Sequence, residues 1–141
     1  MSGRCPVPRE RARSDPRWAD VAATLVALRD RRRHAVRIVD TDCGCGTLLI
    51  AALAHARSLG FTAIEGRGLD RSPACLGRAR RAAAALHDPA IGVAFDATDV
   101  ATALGEEAEA PADILLCRAV PACGMAAGRV VIADRHADAI Q

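Results

Sequence analysis

What most constrains this chain is an alternation of period along its length. Short runs that are apolar almost throughout, at 35–39, 63–69, 91–95, 112–117 and 129–133, alternate with stretches in which apolar residues recur at helical spacing. Near-continuous apolar strands are buried on both faces. Strands separated by helices pair in parallel through right-handed crossovers. The reading is an α/β fold with an open, mostly parallel sheet of about five strands and helices on both faces.

The helical stretches carry their own punctuation. Ser14-Asp15-Pro16 offers a capping side chain and then a proline suited to a first turn. Trp18, Val21, Ala22, Leu25 and Leu28 follow at helical spacing, which predicts a helix over 16–32 closed by Arg31, Arg32 and Arg33. Thr47 to Ser58 is a second helix, with Leu48, Leu49, Ala52, Leu53 and Ala56 on one side and Gly60 as its stop. Ser72-Pro73 opens a third, running to about Leu86, and 98 to about 107 is a short polar fourth. Gly66 and Gly68 weaken the second strand. With no internal repeat and no inner boundary, residues 15–141 are expected to form one domain. The Pro- and Arg-rich residues 1–14 are expected to be a disordered basic arm.

Composition narrows the class further. A chain of 141 residues is long enough to bury a core, yet it holds one Trp, two Phe and no Tyr. Val, Leu, Ile and Ala must build that core, which favours close helix packing over a β-sandwich. Every basic residue other than histidine is arginine, and residues 1–37 carry ten of them against four acids, the remainder nine against thirteen. Without interleaved aromatics or a reader motif the basic arm is read as solvated, and nucleic acid is not an expected partner. Six cysteines, at 5, 43, 45, 75, 117 and 123, lack the spacing of a disulfide framework. No signal peptide is recognised and no apolar run approaches a membrane span, so the expectation is a cytoplasmic protein with reduced thiols.

The chemistry gathers where the strands end. Residues 38–52 read IVDTDCGCGTLLIAA: strand, turn, helix. In an open parallel sheet, ligands bind beyond the carboxyl ends of the strands at the point where the winding reverses. Gly44 and Gly46 allow the backbone to approach a ligand, and the helix from Thr47 offers free N–H groups. Asp70 ends the second strand, where a carboxylate can accept both hydroxyls of a ribose. Asp96 and Asp99 follow the third strand at the same edge.

These motifs resemble those of the class I S-adenosylmethionine-dependent methyltransferases. Asp40 to Gly46 is similar to that family's acid-x-Gly-x-Gly-x-Gly turn, with Asp42 in place of the first glycine and a cysteine, Cys43, where the family commonly has one. GLDRSP (68–73) resembles the second motif, with Asp70 in the ribose-binding place and Arg71 beside it. FDATDV (95–100) resembles the third, in which Asp96 would hold the adenine amino group and the Ala97 amide a ring nitrogen. ADILLC (112–117), ending at Cys117, and GRVVIAD (128–134) resemble the fourth and fifth core strands. The resemblance implies a Rossmann-like methyltransferase core of order 3-2-1-4-5. It implies S-adenosylmethionine as cofactor, bound by Asp40, Asp42, Cys43, Gly44, Gly46, Asp70, Arg71, Asp96, Ala97 and Cys117. Methyl transfer to an acceptor would follow, with no catalytic residue nominated.

The interval between the last two strands is short and the sequence ends soon after the fifth, so a C-terminally truncated member is expected. The alternative activity is an inactive module that binds the cofactor or a protein partner. The fifth strand would leave an apolar edge open to pairing with another chain, giving a homo-oligomer. At Asp42 two effects compete: its carboxylate can pair with the cofactor's ammonium or repel its carboxylate, and Asp42→Gly would restore a normal turn.

Rival readings are weaker on the residues. A dinucleotide fingerprint would need a small residue at position 49, where Leu49 stands. Cys43 and Cys45 lack a second pair to complete a metal site, so no metal is expected. A redox thiol at the helix N-terminus is a further alternative, below that of turn-filling cysteines. Arg118 is read as a surface arginine or as the holder of an anionic acceptor, Asp113 as a solvated acid, and Glu106, Glu107 and Glu109 as a solvated loop. His55 is expected to point away from the site, and His136 is a weak candidate base. No Asn-Pro-Pro-aromatic box follows the fourth strand.

Overall fold

A computed structural model of the chain describes residues 8 to 118 and 128 to 134. Ten elements follow one another: α1 (Pro8–Ser14), α2 (Trp18–Asp30), β1 (Ala35–Asp40), α3 (Thr47–Ser58), β2 (Ala63–Leu69), α4 (Pro73–Ala84), β3 (Ile91–Asp96), α5 (Val100–Glu109), β4 (Ala112–Cys117) and β5 (Gly128–Ala133). The strands form one sheet in the order β3-β2-β1-β4-β5, and every pairing is parallel. This is the expected class and the expected order.

Side-chain alternation divides the core between the two faces. Val36 and Ile38 of β1, Ile64 of β2, Phe95 of β3, Ile114 and Leu116 of β4 and Ile132 of β5 pack with apolar residues of α2, α3 and α4. Val39, Ala112 and Leu115 form a smaller cluster with Leu104 of α5. Gly66 and Gly68 do more than weaken β2. A Cβ at Gly66 would lie 2.8 Å from Leu53 Cδ1, and one at Gly68 would lie 2.6 Å from Phe95 Cδ1. The missing side chains are the space these two residues fill.

The N-terminal reading changes in two ways. Residues 8–14, expected within a disordered arm, form α1, which packs against α3 with Ala12 fully buried. One small apolar residue in a Pro- and Arg-rich segment gives no amphipathic stripe, so tertiary contact makes this helix. Residues 1–7 lie outside the described residues. α2 begins at Trp18 rather than Pro16, because Asp15 turns back to accept from the Arg17 backbone N–H (3.0 Å) and from its guanidinium Nη2 (2.8 Å).

The acids of the α5 region are also placed differently from expectation. Glu107 is 4% exposed, bonded to Arg37 and, at 3.0 Å, to Arg67 Nη1. Burial alone would raise its pKa; the two guanidiniums outweigh that and hold the carboxyl below its usual value. Asp113 accepts from the Arg37 backbone N–H (2.9 Å) and from Arg33 Nη2 (3.0 Å), so it ties the start of β1 to β4 instead of facing solvent. No described helix is long and apolar enough to cross a membrane.

Candidate functional site

The chain winds outward from β1 through β2 to β3, then returns to β4 on the other side of β1. The winding therefore reverses between β1 and β4, and crevices at such a point lie beyond the carboxyl ends of the strands. A cavity of about 390 Å³ opens there, lined by Thr41, Asp42, Asp70, Arg71, Thr98, Val100 and Arg118. Each follows a strand end: Thr41 and Asp42 after β1, Asp70 and Arg71 after β2, Thr98 and Val100 after β3, Arg118 after β4.

Hydrogen bonds hold the turn after β1 to its neighbours. Thr41 N–H donates to the Leu116 carbonyl (2.9 Å) and Cys43 N–H to that of Leu69 (2.9 Å). Asp70 fastens the next segment, its Oδ2 accepting from Gly44 N–H (2.9 Å) and its Oδ1 from Ser72 N–H (2.8 Å). Each carboxylate oxygen carries two lone pairs, so acceptor capacity remains toward the cavity. The two glycines of the turn differ in role. Gly44, at φ +55°, has no atom within 4 Å of the place a Cβ would occupy, so the backbone there is open to a ligand. Gly46, at φ +81°, faces protein: its Cβ would meet Ala79 and Ile50 at 3.1 Å. The missing side chain serves the packing of α3 on α4.

Of the ten residues expected to hold the cofactor, the structure brings Asp42, Asp70 and Arg71 into the cavity lining, with Gly44 at the turn. Asp40 lies behind them, 1% exposed, its Oδ1 accepting from Asp42 N–H (3.1 Å). Burial raises its pKa to about 6, against the attraction of the nearby Arg17. Cys43 is buried, and burial, reinforced by the charges of Asp40 and Asp70, pushes its thiol up to about 12. Burial thus favours the neutral thiol over the reactive thiolate. Cys117 is 1% exposed; its carbonyl accepts from Arg17 Nη1 (3.2 Å) and Asp134 N–H (3.2 Å). Asp96 and Ala97 are not in the lining. Arg67 Nε donates to Asp96 Oδ2 (3.1 Å).

Asp42 also departs from expectation. Its backbone has no positive φ, so the turn needs no glycine at this position, and Asp42→Gly would not relieve strain there. Its Oδ2 lies 2.8 Å from Arg118 Nε, and both side chains are solvent-exposed. Arg118 is thus part of the cavity wall rather than a surface arginine apart from the site.

Thr41, Thr98 and Val100 escaped the sequence reading, although the rule that ligands sit beyond strand ends points at each. Arg17 carried no such signal. It is buried, a hundred residues from the Cys117 carbonyl it bonds. The His55 ring meets that of Trp18 at a tilt of 59°, centroids 5.4 Å apart, away from the cavity, and His136 lies outside the described residues. Among the described residues no group of three or more His, Cys, Asp and Glu is placed to hold a metal. Leu49 is fully buried in the core, so the helix approaches the sheet around a leucine and not across a third fingerprint glycine.

No family model matches the sequence, and no curated protein matches it. Solved structures do. MnmC2 from Aquifex aeolicus superposes with a TM-score of 0.56 at 13% identity, over 82% of this chain and 41% of that one. The fold is Rossmann-like. Magnesium protoporphyrin IX methyltransferase (ChlM) from Synechocystis PCC 6803, solved with bound SAH, aligns over 83% of this chain and 48% of its own, with 18% identity and a TM-score of 0.49. CalS10, a SAM-bound amino pentose methyltransferase from Micromonospora echinaspora, aligns over 85% and 45%, with 22% identity and a TM-score of 0.41. The chain spans less than half the length of each of these three proteins.

Proposed function

We propose that the cavity binds S-adenosylmethionine and that the chain transfers its methyl group to an acceptor. The observation that carries this reading is Asp70, a carboxylate at the end of β2 lining a cavity at the topological switch point. Its spare lone pairs suit a ribose diol, and the open face of Gly44 lets backbone approach the ligand closely. Thr98 and Val100 follow β3, on the side where an adenine would lie. The cofactor supplies an electrophilic methyl on a sulfonium, so the protein's task is positioning more than proton transfer. The methyltransferases solved with bound SAM or SAH support the same cofactor class.

A second reading, a module that binds the cofactor or a protein partner without turnover, draws on one observation. Arg67 already engages the acid that would hold the adenine amino group.

Calorimetric titration with S-adenosylmethionine and S-adenosylhomocysteine tests the cofactor claim. One-to-one binding is expected, weakened about tenfold or more by Asp70→Ala, the value of a hydrogen bond to a charged group. No heat with either ligand overturns it. Binding without methyl transfer across a panel of acceptors supports the module instead.

A further inference from the structure

We propose that the outer face of α3 carries a second ligand site, a cleft for an apolar chain ending in a carboxylate, with Arg13 taking the carboxylate. The inference stands apart from the cofactor reading, because no residue of this cleft lines the cavity at the switch point.

The starting point is the composition of α3. Its inward residues, Leu48, Leu49, Ala52, Leu53 and Ala56, are buried in the core. A surface helix normally turns polar side chains outward, and a helix that is apolar all round is buried. Between Thr47 and Ala54 the outward positions of α3 hold no charged residue. Thr47, Ile50, Ala51 and Ala54 stand there, and all four are only half-buried. Helices α1 and α2 pack along one side of α3 and α4 along the other, and the strip between them stays open among the described residues.

Two cavities meet on this strip. One, of about 250 Å³, is lined by Arg13, Trp18, Ala51, Ala54, His55 and Ser58. The other, of about 340 Å³, lies toward α4, where Ile50, Ala82 and Leu86 give it apolar walls. Ala51 and Ala54 line both, so the cavities share a floor. Ligand pockets usually begin at about 300 Å³, so the first cavity alone suits only a small head, and the second gives that head room for a tail.

Charge decides which end of a ligand goes where. No Asp or Glu lines either cavity, and both cations are arginines, Arg13 at one end and Arg78 at the other. Burial lowers the pKa of His55, and the charge of Arg13 lowers it further. The imidazole is therefore neutral near pH 7 and keeps one N–H to donate beside the guanidinium. No second nitrogen-bearing side chain lines the cavity beside Arg78. A hydrocarbon would leave Arg13 unused, and a small anion would leave the apolar half wet. A chain with a carboxylate at one end matches both halves.

The test uses the full chain and reads Trp18, its only tryptophan, whose emission reports on the cleft it lines. Decanoate, hexanoate and decan-1-ol are titrated at low salt, by fluorescence and calorimetry, into the native protein, Arg13→Gln, Ala54→Glu and Asp70→Ala. Far-ultraviolet circular dichroism confirms folding. Decanoate is expected to bind saturably, and more tightly than hexanoate by about two- to fourfold for each added methylene. Arg13→Gln is expected to weaken decanoate about fivefold, the upper value for an exposed ion pair, and to leave decan-1-ol within about twofold. Ala54→Glu puts a negative side chain on the shared floor and is expected to weaken decanoate about tenfold or more. Asp70→Ala, in the other cavity, is expected to leave decanoate within about twofold. No saturable emission change or heat with decanoate overturns the proposal, and so does binding that Arg13→Gln or Ala54→Glu leaves unchanged. A dimer that Ala54→Glu disperses in the absence of ligand would place a second copy in the cleft and would overturn it too.

Discussion

Asp40 is the residue whose titration the structure predicts most sharply. It ends β1, is 1% exposed, and accepts one backbone hydrogen bond, from Asp42. Arg17 attracts it, but that guanidinium is committed to Asp15 and to the Cys117 carbonyl, so burial prevails and the carboxyl titrates at about 6 instead of 3.8. The folded state therefore holds a proton that the unfolded chain releases between about pH 4 and pH 6. Stability from this group is highest at low pH, falls through that window, and levels off above it. Two pH units correspond to about 3 kcal/mol, a large part of the 5–15 kcal/mol typical of a domain.

Asp40→Asn removes the titration and keeps an oxygen for the Asp42 N–H. The asparagine brings its own pH-independent offset, because its amide is buried. The informative quantity is therefore the stability difference between variant and native protein at pH 8 minus that at pH 4. Urea unfolding followed by circular dichroism at both pH values is expected to give about 2.5 kcal/mol in favour of the variant, since part of the effect is already spent at pH 4. Groups common to both proteins cancel. A difference independent of pH would mean that Arg17 compensates the burial of Asp40. A difference of opposite sign would mean that Arg17 dominates and that Asp40 is a stabilising ion-pair partner.

Other consequences are open to measurement. Glu107→Gln leaves Arg37 and Arg67 without their shared buried acid and is expected to destabilise by about 3 kcal/mol in denaturant unfolding. Because the Glu107 carboxyl is held below its usual value, the native advantage over that variant should shrink as pH falls below about 4.5. Gly68→Ala drives a methyl against Phe95 Cδ1, 2.6 Å from the built Cβ, and is expected to lower stability by about 1–3 kcal/mol. β5 pairs with β4 alone among the described strands and exposes Val130. Self-association through that edge is expected, seen as a dimer by light scattering at micromolar concentration and lost in Val130→Lys; a native monomer would count against it.

The elements were legible in the sequence because their signals are local. α3 and β2 have the bounds that spacing assigns them, and β1, β3 and β4 agree to within a residue, since hydrophobic period and flanking turn residues are properties of a few neighbours. α1 was not legible: its burial is supplied by α3, and its own segment offers only Ala12 to bury. The ion-paired acids were missed for a related reason. Asp113 and Glu107 look like solvated residues until Arg33, Arg37 and Arg67, 40 or more residues away, are brought beside them.

The site divides along the same line. The sequence by itself determined a parallel α/β sheet, a glycine turn after its first strand, and an acid, Asp70, ending its second. Periodicity and motif order carry that much. Only the tertiary structure decided which of these residues share a cavity. It turned Gly44 toward open space and Gly46 toward Ala79, buried Asp40 and Cys43 behind the turn, and tied Asp96 to Arg67. It also set Arg118 against Asp42 from the far side of the switch point. Strand order brings together residues that sequence separation conceals. Burial then decides which charges face a ligand and which are held inside the fold.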